Sequence, residues 1–174
     1  MFRHGYYCIF LICFLCINSC SPTFNWREVY GLQDEWRALL PGKPFKEKRV
    51  LTLQIDNESH RVEISRHTCE INQTIFLVES AKLINPQSNL SPKKLKDFLE
   101  ERLLVKFKGV QVKNKKNAQL YRGAFNSFNK AQPKEMILAF KYKIKTEYVL
   151  SAIVLADSLS FDEEKSFFFL NSLE

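Results

Sequence analysis

Glycine is scarce in this sequence, with 5 glycines among 174 residues against 15 phenylalanines. A flexible tail or linker would be rich in glycine and polar residues, so this balance predicts a packed globule. The sequence also lacks a glycine-rich phosphate loop, a Gly-x-Ser-x-Gly motif and a His-Glu-x-x-His motif. We therefore expect a non-catalytic protein that carries no cofactor.

The stretch from Cys8 to Ile17 is too short to cross a bilayer as a helix. It has about ten uncharged, mostly apolar residues, whereas a spanning helix needs about twenty. Arg3 precedes it, which gives the charged start and short apolar core of a secretory signal. The alternative is a permanent transmembrane anchor, which the length of the stretch disfavours.

The residues Ile17-Asn18-Ser19-Cys20-Ser21 follow the apolar stretch and resemble a bacterial lipobox. The resemblance implies cleavage before Cys20 and acyl chains on that cysteine, which would hold the protein to a membrane. Ser21 after the cysteine resembles the outer-membrane default, so we expect the periplasmic face of the outer membrane in the bacterial envelope. The alternative is an ordinary secretory signal that contains a cysteine. We expect a signal peptide, a lipidated tether and one domain, over residues 1–19, 20–35 and 36–174.

The cysteine count limits the possible disulfides, and the net charge limits the possible partners. Four of the five cysteines lie in the first 20 residues, so Cys69 is alone in the domain and cannot form an intramolecular disulfide. The net charge of +7 is compatible with nucleic acid, anionic lipid or an acidic protein. For a protein tethered to a membrane we expect no nucleic acid. The alternative is that the lysines form a solvated surface.

The pattern of apolar residues predicts an α+β fold, an antiparallel β-sheet packed by helices. Alternation over residues 51–55 and a turn at Asp56-Asn57-Glu58 predict a hairpin. Residues 74–78 are apolar on both faces and predict a central strand. Further strands are expected over residues 120–128, 136–144 and 148–155, and the last two should pair antiparallel.

Two helices are predicted. Ser91 caps the first, Pro92 is its first helical residue, and Gly109 ends it before a lysine-rich loop. An apolar stripe along this helix should face the sheet. The second helix follows Ser160, its expected cap, and carries acidic residues in its first turn.

Two short motifs resemble the ends of the PsbP-like superfamily. They are a tryptophan followed by Leu40-Pro41-Gly42-Lys43-Pro44 near the start of the domain, and Phe169-Leu170-Asn171-Ser172-Leu173 in the terminal helix. The resemblance covers roughly residues 36–174 and implies a PsbP-like sandwich. Members of this superfamily bind quite different partners, so it implies no particular ligand site.

His67 and Cys69 form the only cluster that invites a metal or nucleophile hypothesis. On a strand they would point to the same side, and His60 could join them across the hairpin. Structural zinc needs four ligands and catalytic zinc three, and no second pair completes the set. We therefore predict no metal site, and we interpret Cys69 as a small buried hydrophobic residue.

Three functions remain open from the sequence. The first is an accessory module that docks onto another envelope protein through an exposed aromatic and basic patch of Lys113, Lys115, Lys116, Tyr121, Phe125 and Phe128, although such aromatics more often belong to the core. The second is a carrier of a small ligand or lipid in a cavity between the sheet and the helix over residues 92–107. The third, a hydrolase or metal-dependent enzyme, would require convergent polar groups in a cleft.

Overall fold

The structure is a computed structural model, and it describes residues 24–31, 35–85, 89–115, 118–125 and 135–174. In chain order the strands are β1 Arg27–Tyr30, β2 Arg37–Leu40, β3 Phe45–Ile55, β4 Glu58–Ile71, β5 Thr74–Leu83, β6 Phe107–Lys115, β7 Ala118–Phe125, β8 Met136–Ile144 and β9 Tyr148–Asp157. The helices of the described part are α1 Pro92–Lys106 and α2 Glu163–Ser172.

Seven strands form one antiparallel sheet in the order β3-β4-β5-β9-β8-β7-β6, and β1 pairs with β2 in a separate two-stranded sheet. The predicted α+β class, an antiparallel sheet packed by helices, is confirmed. The β8–β9 pairing is confirmed as well, with Phe140 opposite Ile153.

Two tight hairpin turns fix the register of β3, β4 and β5. Asp56 and Asn57 join the first pair, and Asn72 and Gln73 join the second. All four residues have positive φ, between 49° and 65°. Two left-handed residues in succession match the right-handed twist of the flanking strands. The turn predicted at Asp56-Asn57-Glu58 is confirmed at its first two residues, and Glu58 is already the first residue of β4.

The two faces of the large sheet are covered by different elements. On one face β1, β2 and α2 enclose a core that includes Phe76, Ala139 and Phe169. On the other face α1 packs over two clusters, one around Leu53 and Leu95 and the other around Phe107, Leu138 and Phe140. Alternate residues of β8 therefore reach opposite layers, which is what the alternation in its sequence predicts.

The domain begins earlier in the chain than residue 36. Val29 of β1 is buried, and Phe24 and Trp26 pack against the core beneath α2. The tether expected over residues 20–35 therefore belongs to the packed domain from Phe24 to Gly31. A run of only four residues in β1 gave too short a pattern to be recognised as a strand.

The start of α1 is predicted correctly and its end is not. The Ser91 side chain accepts a hydrogen bond from the Lys94 backbone N–H at 3.3 Å, and Pro92 is the first helical residue. The helix ends at Lys106, and Gly109 lies inside β6, where a loop was expected. Phe107 is fully buried in the sheet core, so its burial favours the extended chain after Lys106.

The cap of α2 also differs from the prediction. Asp162, not Ser160, accepts a hydrogen bond from the Lys165 backbone N–H at 3.0 Å through its carboxylate. Ser160 lies in the preceding turn, where its backbone oxygen accepts from the Thr74 hydroxyl at 3.4 Å. Acidic residues do occupy the first turn of α2, as predicted.

Candidate functional site

A groove lies between α1 and the large sheet, at the point where the two clusters on that face separate. Its volume is about 320 Å³ and it is open to solvent. One end is bounded by Leu53 and Ile64 of the first cluster, and the other by Leu103 beside the second. The volume is at the lower limit of small-molecule sites, which run from about 300 to 1,000 Å³.

The floor of the groove is aliphatic. Strands of the sheet supply one wall and α1 supplies the other, with half-buried side chains from Leu51, Leu77, Ile153, Leu99 and Leu103. A closed core would bury these leucines completely, as it does Leu95 one turn earlier in α1. Apolar surface therefore remains available to a ligand in the groove.

Positive charge surrounds this floor. Arg49 comes from the edge strand β3, Arg66 from β4, and Arg102 and Lys106 from the last turns of α1. Glu79 of β5 is the one carboxylate among the residues that line the groove in the described part of the chain. The lining thus carries four cations against one anion.

The single carboxylate of the groove, Glu79, forms an ion pair with Arg66. Glu79 Oε2 accepts hydrogen bonds from Arg66 Nε at 2.8 Å and from Arg66 Nη2 at 2.5 Å. The two residues are direct partners in the β4–β5 ladder. Their side chains are 30% and 12% exposed, so solvent screens this pair less than a fully exposed one.

Tyr142 of β8 closes one side of the groove. Burial raises the pKa of its phenol, and the negative charges of Glu79 and Glu100 raise it further. The ring packs edge-on against Phe140, with centroids 5.6 Å apart, and the Lys96 ammonium lies 5.8 Å from the ring centroid. The hydroxyl therefore stays protonated at neutral pH and adds no negative charge to the groove.

Of the aromatic and basic patch predicted from the sequence, the structure describes the side chains of Lys113 and Tyr121. Lys113 is exposed and pairs with Glu163 of α2. Tyr121 is half-buried on the opposite face of the sheet, where its ring stacks on Phe140 at 5.6 Å. The structure does not bring these two together. Lys116 and Phe128 lie outside the described residues, as do the side chains of Lys115 and Phe125.

His67 and Cys69 do share one side of β4, as predicted, but His60 does not join them. His60 lies on the same face of β4 as Val62 and Ile64, which face α1. Cys69 lies on the other face and belongs to the core there. The described residues contain no group of three or more metal-ligating side chains. Burial raises the pKa of the Cys69 thiol, which keeps it protonated.

Cys20, the predicted lipidation site, lies outside the described residues. None of the helices in the described part of the chain is both long and apolar enough to span a membrane.

No family model, curated protein or solved structure matches this chain. The PsbP-like resemblance therefore stays a prediction, and the groove has to be interpreted from its own chemistry.

The sequence predicts a cavity between the sheet and the first helix, but the charged residues there were not predicted. Arg102 and Lys106 follow Phe98 and Leu99 at helical spacing, so they border the apolar stripe that faces the sheet. Charged residues at the border of an apolar stripe indicate that this part of the helix is not fully buried against the sheet. Arg49 and Arg66 gave no such signal, because only the strand register brings them near α1.

Proposed function

We propose that this protein is a membrane-anchored, non-catalytic carrier that binds a small amphipathic ligand between α1 and the sheet. The groove of about 320 Å³, with aliphatic side chains half-exposed on its floor, carries this proposal. Its position supports the carrier that the sequence left open as an alternative to an accessory module. A ligand chain in the groove would remove the exposed parts of these side chains from water, which is favourable.

The anchor is part of the proposal. The short apolar stretch and the lipobox-like residues ending at Cys20 support a lipoprotein of the bacterial envelope, on the periplasmic face of the outer membrane. A PsbP-like sandwich is the finer fold assignment that we propose, supported by helices on both faces of an antiparallel sheet.

Binding is tested with Nile red, a neutral dye that fluoresces in apolar surroundings. We expect its emission to rise with the wild-type protein and to stay low with Leu99→Trp, because the larger ring fills the groove. Leu159→Trp is the matched control, since Leu159 is 96% exposed and lies away from the groove. Chemical denaturation should show that all three proteins are folded. A folded Leu99→Trp protein that binds the dye like wild type would contradict the proposal.

The anchor is tested separately by mass spectrometry of the full chain made in bacterial membranes. We expect a mature protein that begins at Cys20 and carries the added mass of a diacylglycerol and a further acyl chain. Cys20→Ala should prevent this modification. An unmodified Cys20, or a chain that retains residues 1–19, would rule out the lipoprotein assignment.

A second candidate function is the accessory module that docks an envelope protein. The observation in its favour is the edge strand β6, where Val110 and Val112 are 74% and 53% exposed. An edge strand offers unpaired backbone groups to another chain. Crosslinking in membranes should yield an adduct that the double variant Val110→Lys, Val112→Lys loses and that Val50→Lys, on the opposite edge strand, retains. An adduct equally present in all variants would exclude this surface.

A further inference from the structure

We infer that the ligand of the groove is a single-chain amphiphile with an acidic head group, and that Arg49, Arg102 and Lys106 bind the acid. This inference rests on the proposed carrier function and specifies its ligand class. The observation behind it is the excess of positive charge around an aliphatic floor.

In the described part of the chain, the cations of the groove are only partly paired with carboxylates. Arg66 is held by Glu79, as described above. Among the described residues, Arg49 forms a loose ion pair of 3.6 Å with Glu47, and its side chain is 43% exposed. Neither Arg102 nor Lys106 forms an ion pair with any residue that the structure describes. The Arg102 guanidinium instead lies 5.5 Å from the centroid of the Phe98 ring.

The position of these cations on α1 supports a role in binding. Lys106 lies in the last turn of the helix, where the negative end of the helix dipole stabilises a cation without any ligand. That effect accounts for Lys106 alone, because Arg102 lies a turn earlier and Arg49 comes from β3. Three cations from two separate elements converge on one groove, and a carboxylate or phosphate would complement them.

The volume and the aliphatic floor of the groove indicate the size of the apolar part of the ligand. About 320 Å³ is close to the smallest useful ligand site, so one short acyl chain fits better than the two long chains of a membrane phospholipid. The chain would lie over Leu77 and Ile153 in the sheet and beneath Leu103 of α1, all of them half-buried. The acid would then lie at the mouth, where it stays partly hydrated.

The test compares decanoate with decanol as competitors for bound Nile red, because the two have the same chain and differ in the head group. We expect decanoate to displace the dye at about tenfold lower concentration than decanol, the effect of about one charge-assisted hydrogen bond. The double variant Arg102→Gln, Lys106→Gln should weaken this preference, because only Arg49 of the three cations remains, and it should leave the effect of decanol unchanged. Lys93→Gln, an exchange on α1 outside the groove, is the control and should keep the preference.

The outcomes separate the ligand class from the function. Equal displacement by decanoate and decanol, unchanged in the double variant, would overturn the acidic head group while leaving the carrier in place. Dye binding that Leu99→Trp does not reduce would overturn both. A preference for decanoate that falls with added salt and is weakened in the double variant but not in Lys93→Gln would support the inference, because exposed charges are screened. A preference that the double variant keeps in full would overturn the role of Arg102 and Lys106.

Discussion

Arg66 and Glu79 face each other across β4 and β5 and form the ion pair that neutralises the floor of the groove. Both nitrogens that Arg66 offers bond to the same oxygen, Glu79 Oε2. The pair leaves the cations at the mouth without a competing carboxylate on the floor. It also gives the sheet a polar contact beneath an otherwise aliphatic surface.

Replacement of Glu79 by glutamine should destabilise the fold. The substitution keeps the size of the side chain but leaves the Arg66 charge without its counter-ion in a half-buried site. We expect the free energy of unfolding to fall by about 1 to 2 kcal/mol, measured by urea denaturation. The exposed pair of Lys94 and Asp56, 2.9 Å apart, supplies the control. Lys94→Gln should leave the unfolding curve nearly unchanged, and equal losses in both variants would contradict the special role of the buried pair.

The stability of the fold should depend on pH through the buried His67. His67 is 5% exposed, packs against Trp36 with ring centroids 5.3 Å apart, and its Nδ1 has no hydrogen-bond partner in the described part of the structure. Burial lowers the pKa of His67, and the charge of Lys46 lowers it further. Below the unfolded value of about 6.5, the unfolded chain therefore binds more protons than the folded one.

Stability should accordingly fall as the pH drops below about 6.5, and the loss should continue down to the lower pKa that His67 has in the folded protein. The measurement is urea denaturation at a series of pH values between neutral and mildly acidic. His67→Phe keeps an aromatic ring beside Trp36 and removes the titration, so its stability should depend less on pH. Parallel curves for the two proteins would show that His67 does not titrate differently on folding.

The features that sequence predicted well are those with local causes. The cap at Ser91 and the turn at Asp56 and Asn57 depend on a few adjacent residues, and both were found where expected. The end of α1 depends on distant contacts, because Phe107 is buried in one cluster with Leu138 and Phe140 of β8, which are remote in the chain. The ion pair on the floor of the groove likewise depends on strand register, which places Arg66 opposite Glu79, 13 residues away.

The cap of α2 is Asp162, two residues after the Ser160 that the sequence predicted. Asp162 bonds to the backbone and to the ammonium of Lys165, at 3.0 and 2.6 Å. These bonds, together with a backbone bond from Glu164, lower the pKa of Asp162. We expect Asp162→Ala to reduce the free energy of unfolding by about 1 kcal/mol. Ser160→Ala should change it little, because the hydroxyl of Ser160 is not the cap. Both variants are measured by urea denaturation. A larger loss of stability in Ser160→Ala than in Asp162→Ala would show that Ser160 is the cap, as the sequence predicted.

Gly109 and Gly123 lie opposite each other where β6 pairs with β7, and their close approach explains why a glycine continues this strand instead of ending α1. A Cβ added to Gly123 would come within 2.2 Å of the Lys108 carbonyl oxygen and 2.3 Å of the Gly109 Cα. Both are backbone atoms, so neither can rotate away.

Gly123→Ala should therefore cost at least about 2 kcal/mol of the free energy of unfolding. The control is Arg122→Ala, which also places an alanine on this strand but at an exposed position that already carries a Cβ. That exchange should change stability by less than about 0.5 kcal/mol. In most strands alanine is no worse than glycine, so a Gly123→Ala protein as stable as wild type would mean that β6 and β7 do not approach this closely.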